Sequence, residues 1–205
     1  MEDTFLEALA KPEVVPGGGA AAAHGAVLGL ALLEKIVRVE GQRQRDGSEA
    51  NAKWGDLLEE VRTSAKVFLQ LREEDGAAYL RFAEARNSGD GEREVIAALE
   101  EAIECPMKIM EAAQHCLSSV SQVGKHCKGH LLSDLLVVCD LLQAANLGAY
   151  RIAQANLLVM ADYSRKGEYQ RRLSRLRERS SEAFQQTEKG IMSRQMAASS
   201  RQPRQ

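Results

Sequence analysis

Residues Ala20 to Leu33 carry no charge, and a Pro16-Gly17-Gly18-Gly19 turn launches them. A helix this apolar has to be covered on all sides, which makes it central to whatever fold forms. The three glycines add a second constraint, because a backbone without side chains is where something approaches closely. One reading is a ligand cradle: the first N–H groups of the following helix are unsatisfied and carry partial positive charge. The other is a tight turn feeding a closely packed core helix. The residues by themselves leave both open. Gly25 and Gly29 form a G-x-x-x-G spacing that lets two backbones approach. The uncharged run falls short of the ~20 apolar residues that a bilayer needs.

A second segment is as apolar as the first. Leu135, Leu136, Val137, Val138, Leu141 and Leu142 are too dense for an exposed face, and helix is predicted from Ser133 to about Tyr163. Ser133 suits the N-cap and Asp134 the first turn. The rest of the chain is polar and helical in pattern. A short helix is predicted over Asp3–Leu9, the first apolar helix over Ala20–Val39, and a very long one over Glu49–Arg86 with a weak point at Gly76. Turn chemistry follows at 87–91, then a helical stretch 92–123 kinked at Pro106, and a last amphipathic helix over 167–192. No segment alternates like a strand, and aromatics are only 4% of the 205 residues. The fold class is therefore all-α: a bundle of long helices with two apolar central helices and a polar outer set. Residues 1–192 form one domain, and 193–205 a disordered basic tail.

Several functions are disfavoured. The acidic start Met1-Glu2-Asp3 is opposite to a signal peptide, so a cytoplasmic location without membrane attachment is expected. Cys105, Cys116, Cys127 and Cys139 lack a C-x-x-C pair and read as buried, reduced thiols. His126 and His130 lie four apart, but Gly129 breaks the helix between them and no carboxylate completes a ligand set, so no metal is expected. From Arg165 onward there are 11 basic and 4 acidic residues. Arg171, Arg175 and Arg179 share one helical face without interleaved aromatics. That pattern fits a solvated helix, or one facing acidic surface on a second copy, better than a nucleic-acid partner.

The Pro16–Gly19 turn and Ser133-Asp134 each head an apolar helix. If the two helices pack in parallel, both heads converge at one end and frame a pocket with backbone donors and one carboxylate, Asp134. Ser133 as cap and Asp134 as dipole partner need no ligand, and that reading stays open beside the first.

These same residues carry a family resemblance. The stretch TFLEALAKPEVVPGGGAAAAHG is similar to the opening of the formimidoyltetrahydrofolate cyclodeaminase and methenyltetrahydrofolate cyclohydrolase family. Ser133-Asp134-Leu135, Gly148-Ala149-Tyr150, Asn156-Leu157 and Asp162 resemble a second family stretch in the same order. Weaker matches are Glu74-Asp75 with Tyr79, and Cys105-Pro106. The chain departs from the pattern at Val15, where the family has threonine, at Gln42-Arg43-Gln44-Arg45, where it has lysines, and at 128–132, where it has a Gly-Asn loop that His126 or His130 would have to replace.

The resemblance implies a helical homodimer acting on C–N bonds of a one-carbon tetrahydrofolate, with no metal or redox cofactor. Cyclodeaminases close 5-formimino-tetrahydrofolate to the 5,10-methenyl form and release ammonia; cyclohydrolases open the methenyl cation with water. Both pass through a tetrahedral carbon between N5 and N10, where a carboxylate can move protons and stabilise the cation. On this basis Asp134 is the expected catalytic residue. Pro16, Gly17, Gly18, Gly19 and Ser133 would line the substrate, and Asn156 and Asp75 would support it. Arg43 and Arg45 would pair with its glutamyl carboxylates. The alternative is a non-catalytic folate-binding or assembly relative with part of its site lost.

Overall fold

The computed structural model describes residues 4–43, 48–88 and 91–200. It is all-helical: α1 (Thr4–Leu9), α2 (Gly18–Arg43), α3 (Ser48–Ser88), α4 (Glu92–His126), a short 3₁₀ turn (Gly129–Leu131), α5 (Leu132–Leu158) and α6 (Tyr163–Ser199). α3 runs unbroken through Gly76 and α4 through Pro106. α6 extends to Ser199, so the first residues of the expected tail are helical, and 201–205 lie outside the described residues. Asp162 caps α6 by accepting the N–H groups of Ser164 and Arg165. Ser133 caps nothing, because α5 begins one residue earlier and has no side-chain cap.

Helices α2, α3, α4 and α5 close into a ring in which each packs against the next, and α6 lies along α4 and α5. Cross-helix contacts fix the directions. Asp75 meets Ala20 while Arg62 reaches Glu34, so α2 and α3 are antiparallel. Arg81 pairs with Glu101 while Lys53 reaches His126, so α3 and α4 are antiparallel. Asn156 reaches Ala102 while Asn146 reaches Met110, so α4 and α5 are too. The ring alternates up and down, as short connections between neighbours dictate. Its interior is filled by Leu30, Leu33, Ile36, Phe68, Ile103, Ile109, Met110, Leu132, Leu135 and Leu142, each essentially inaccessible. Each such side chain contributes roughly 1.5–3 kcal/mol on burial.

The two apolar helices are not sheathed. They are neighbours in the ring, drawn close where Gly29 faces Leu141 and Gly148 faces Ala22. Their outer face stays uncovered: Leu28 is 60% exposed and Val137 47%. Gly25 looks into open space, so only the second glycine of the G-x-x-x-G pair serves a close approach. Although the uncharged run is short, α2 and the segment Gly129–Leu158 are long and apolar enough to cross a membrane by length and composition, with mean hydropathy 1.5 and 1.4.

All four cysteines are buried and unpaired. Burial pushes the thiols of Cys105 and Cys139 up to about 12 and that of Cys116 to about 11, so they pack as small apolar groups. Arg165 and Arg172 find their acidic partners within the chain, at Glu100 and Glu104 of α4. Arg171, Arg175 and Arg179 face solvent.

Candidate active site

The glycine turn gains its meaning from a residue far along the chain. Asp75, on α3, aims its carboxylate at the start of α2, where one oxygen accepts the Ala20 N–H at 3.0 Å. A Cβ on Gly19 would overlap that carboxylate, so glycine is required at 19 to admit Asp75. Gly18 serves the opposite neighbour, since a Cβ there would stand 2.9 Å from Ile152 Cδ1 of α5. Gly17 has more room, its nearest neighbour being the Val14 carbonyl at 3.7 Å. Of the two readings of the turn, the positive helix end is thus engaged by the protein's own anion, and the turn is also a packing device.

The carboxylate sits at the edge of a cavity. A volume of about 260 Å³ opens beside the turn, which enters through a cis Val15–Pro16 peptide. Val14, Val15, Gly17, Gly18 and Gly19 form one wall, Asp75 and Tyr79 of α3 a second, and Ala102, Ile152 and Asn156 the remainder. Burial raises the Asp75 pKa above the ordinary aspartate value, and the Ala20 N–H offsets this in part. The cavity therefore holds a carboxyl group shifted toward working pH, as proton transfer requires.

Asn156 owes its position to Pro106. A proline has no N–H, so the carbonyl four residues earlier, at Ala102, loses its helical donor. Asn156 Nδ2 supplies the missing hydrogen bond at 2.6 Å and fixes the cavity wall between α4 and α5. Asn156→Ala is expected to cost about 1–2 kcal/mol of stability by orphaning that carbonyl, readable as a lower midpoint in urea unfolding. An unchanged midpoint would show that water replaces the amide without loss.

The other expected site residues lie elsewhere. α2 and α5 run antiparallel, with Gly18 against Ile152 at one end and Lys35 against Asp134 at the other. The premise of parallel packing is thus corrected. The separation along α2 from Gly18 to Lys35 is about 25 Å at 1.5 Å rise per residue. Asp134 is 40% exposed, with its Oδ2 3.7 Å from Lys35 Nζ, and Ser133 beside it is exposed. Arg43 is at the same far end, bonded to the buried Glu40 at 3.3 Å, and Arg45 lies outside the described residues. The altered loop is there too: the Lys128 N–H donates to Glu40 at 3.1 Å. His126 stands 2.8 Å from Lys53 Nζ, and burial with Lys53, Arg194 and Lys125 nearby lowers its pKa. Neither this loop nor His126 touches the glycine cavity of the same chain. Among the described residues, Gly17, Gly18, Gly19, Asp75 and Asn156 line this cavity and Pro16 lies on the other side of the turn, while Arg43, Ser133 and Asp134 are not brought to it.

Tyr79, Ala102 and Ile152 were not expected as lining residues. Tyr79 follows Asp75 by one helical turn, so its placement was available once Asp75 was placed.

The chain matches the family model described as formiminotransferase-cyclodeaminase over residues 2–175. It is 26% identical over 182 residues to the formimidoyltransferase-cyclodeaminase of Gallus gallus and 28% over 183 residues to that of Mus musculus. Those alignments cover 85% and 84% of this chain but 34% and 33% of the relatives, so it spans about a third of their length. The crystal structure of formiminotetrahydrofolate cyclodeaminase from Thermotoga maritima superposes with a TM-score of 0.83 at 19% identity, covering 94% of this chain and 96% of that one.

Proposed function

Because the chain belongs to the formiminotransferase-cyclodeaminase family, we propose that it acts on a C–N bond of a one-carbon tetrahydrofolate, with Asp75 as the proton-transferring group. The observation that carries this reading is the raised carboxyl of Asp75 at a cavity whose other wall is bare glycine backbone. In cyclodeamination, N10 attacks the formimino carbon at N5 and a tetrahedral carbon forms. Ammonia leaves once its nitrogen is protonated, and the methenyl cation remains. A carboxyl group with a raised pKa is suited to donate that proton, and the carboxylate it becomes is suited to face the cation. The reverse polarity, with the carboxylate accepting a proton from attacking water, serves methenyl hydrolysis. Absorbance of 5,10-methenyl-tetrahydrofolate separates the two: it rises with 5-formimino-tetrahydrofolate if the chain is a cyclodeaminase and falls from added methenyl substrate if it is a cyclohydrolase. Folate binding with neither change would support the non-catalytic alternative.

A second reading keeps Asp134 in the chemistry. The uncovered face bearing Leu28 and Val137 is apolar, and it fits a second copy of this chain. A two-fold axis crossing the helices would stack α2 on its antiparallel counterpart. The partner's Asp134 would then approach this chain's glycine turn. Leu28→Glu is expected to convert a dimer to a monomer in light scattering after gel filtration. An unaltered mass for a dimeric wild type would assign the contact to another face.

A further inference from the structure

A cavity of about 260 Å³ beside the glycine turn is small for a whole tetrahydrofolate, which adds a benzamide ring and a glutamate to the reacting ring system. The carboxylates of that glutamate need a cation, and Arg43 is at the wrong end of α2 for this turn. The structure supplies a different one. On the other side of the Val15-Pro16 segment lies a second cavity of about 440 Å³, between α1 and α3, which shares Val15 with the first. Asp75 lines one cavity and Gly76, its neighbour in sequence, lines the other.

Arg72 is the cation in this second cavity, and its guanidinium is contacted from several sides. The guanidinium lies 4.8 Å over the Phe5 ring, which stacks on His24 at 4.3 Å, and Nη1 stands 3.2 Å from His24 Nδ1. Arg72 is 20% exposed and holds Glu73 through Nε at 2.9 Å and Nη2 at 2.8 Å, whereas Glu73 is 73% exposed, so its side chain can swing into water and leave that fork to a ligand carboxylate. Pro16 and Leu80 supply apolar wall, and Leu80 is 48% exposed. The combination is an apolar slot that ends in a pre-oriented guanidinium.

We propose that this cavity seats the aryl-glutamate end of the folate, with Arg72 binding its carboxylates, so that the ligand straddles the Val15-Pro16 segment. This rests on the folate reading above and adds a subsite to it.

The test compares two ligands, 5-formyl-tetrahydrofolate and the corresponding tetrahydropteroate, which lacks the glutamate, by calorimetry on wild type and Arg72→Gln. Wild type is expected to prefer the glutamylated ligand by about 10- to 100-fold, and Arg72→Gln to lose that preference while binding the pteroate as before. Arg72→Lys should retain part of it, and the far-ultraviolet spectrum and melting of each variant establish folding. Equal wild-type affinity for both ligands, or an equal loss of both in Arg72→Gln, would overturn the subsite and leave the folate reading standing. No binding of either ligand to wild type would overturn both.

Discussion

Asp75→Asn is expected to lower turnover of the tetrahydrofolate substrate by about 10²- to 10⁴-fold without loss of stability at neutral pH. The two effects come from one cause. Burial holds the folded pKa of Asp75 above its unfolded value, so the folded chain binds this proton more tightly than the unfolded chain. The resulting stabilisation is complete below the unfolded pKa and is lost as pH rises through the folded one. Wherever the folded chain carries this group ionised, the buried carboxylate is therefore a net cost, reduced by the Ala20 N–H. Asparagine removes the charge and keeps an oxygen for that N–H. Thermal melting should place Asp75→Asn at or above wild type at pH 7, with the difference shrinking as pH falls toward the ordinary aspartate range. A variant that melts well below wild type at pH 7 would make Asp75 a structural carboxylate.

The second large effect is expected at Gly19. Alanine there places a Cβ within the Asp75 carboxylate. An aspartate side chain has too few torsions to move aside and still reach Ala20, so the α2–α3 contact has to open. The expected cost is about 2–4 kcal/mol, made up of overpacking and a lost helix-end bond, or roughly 5–10 °C in melting temperature. Turnover should fall with it. Gly55→Ala is the control, since nothing stands within 4 Å of a Cβ there and α3 gains helix propensity. The double variant Gly19→Ala/Asp75→Ala should recover most of the stability and none of the activity. If it stays as unstable as Gly19→Ala, the overlap is with something other than Asp75.

Much of the fold was legible because composition and periodicity leave few choices. A chain with 4% aromatics and no alternating segment has to bury itself as helices, and the apolar densities of 20–33 and 135–142 mark helices of the ring. Direction was also available and was missed. Short connections between α2, α3, α4 and α5 alternate them, which places the first and fourth head to tail and separates Gly17–Gly19 from Asp134. The partner of Gly19 was not legible, since Asp75 is far along the chain and a buried carboxylate at a helix end looks like any other surface acid in sequence. Pro106 predicts a kink, but its sequence pattern does not reveal that the Ala102 carbonyl it leaves without a helical donor is the one that holds Asn156 at the cavity. The uncovered α2–α5 face was hidden for a simpler reason: an apolar run does not say which of its faces the rest of the chain covers.

Measuring kcat of Asp75→Asn and Asp134→Asn side by side, on the substrate that wild type turns over, tests the placement of the site most directly. The account predicts a fall of about 10²- to 10⁴-fold for Asp75→Asn and a change within about 3-fold for Asp134→Asn. Full activity in Asp75→Asn together with a collapse in Asp134→Asn would contradict it and move the chemistry from Asp75 to Asp134.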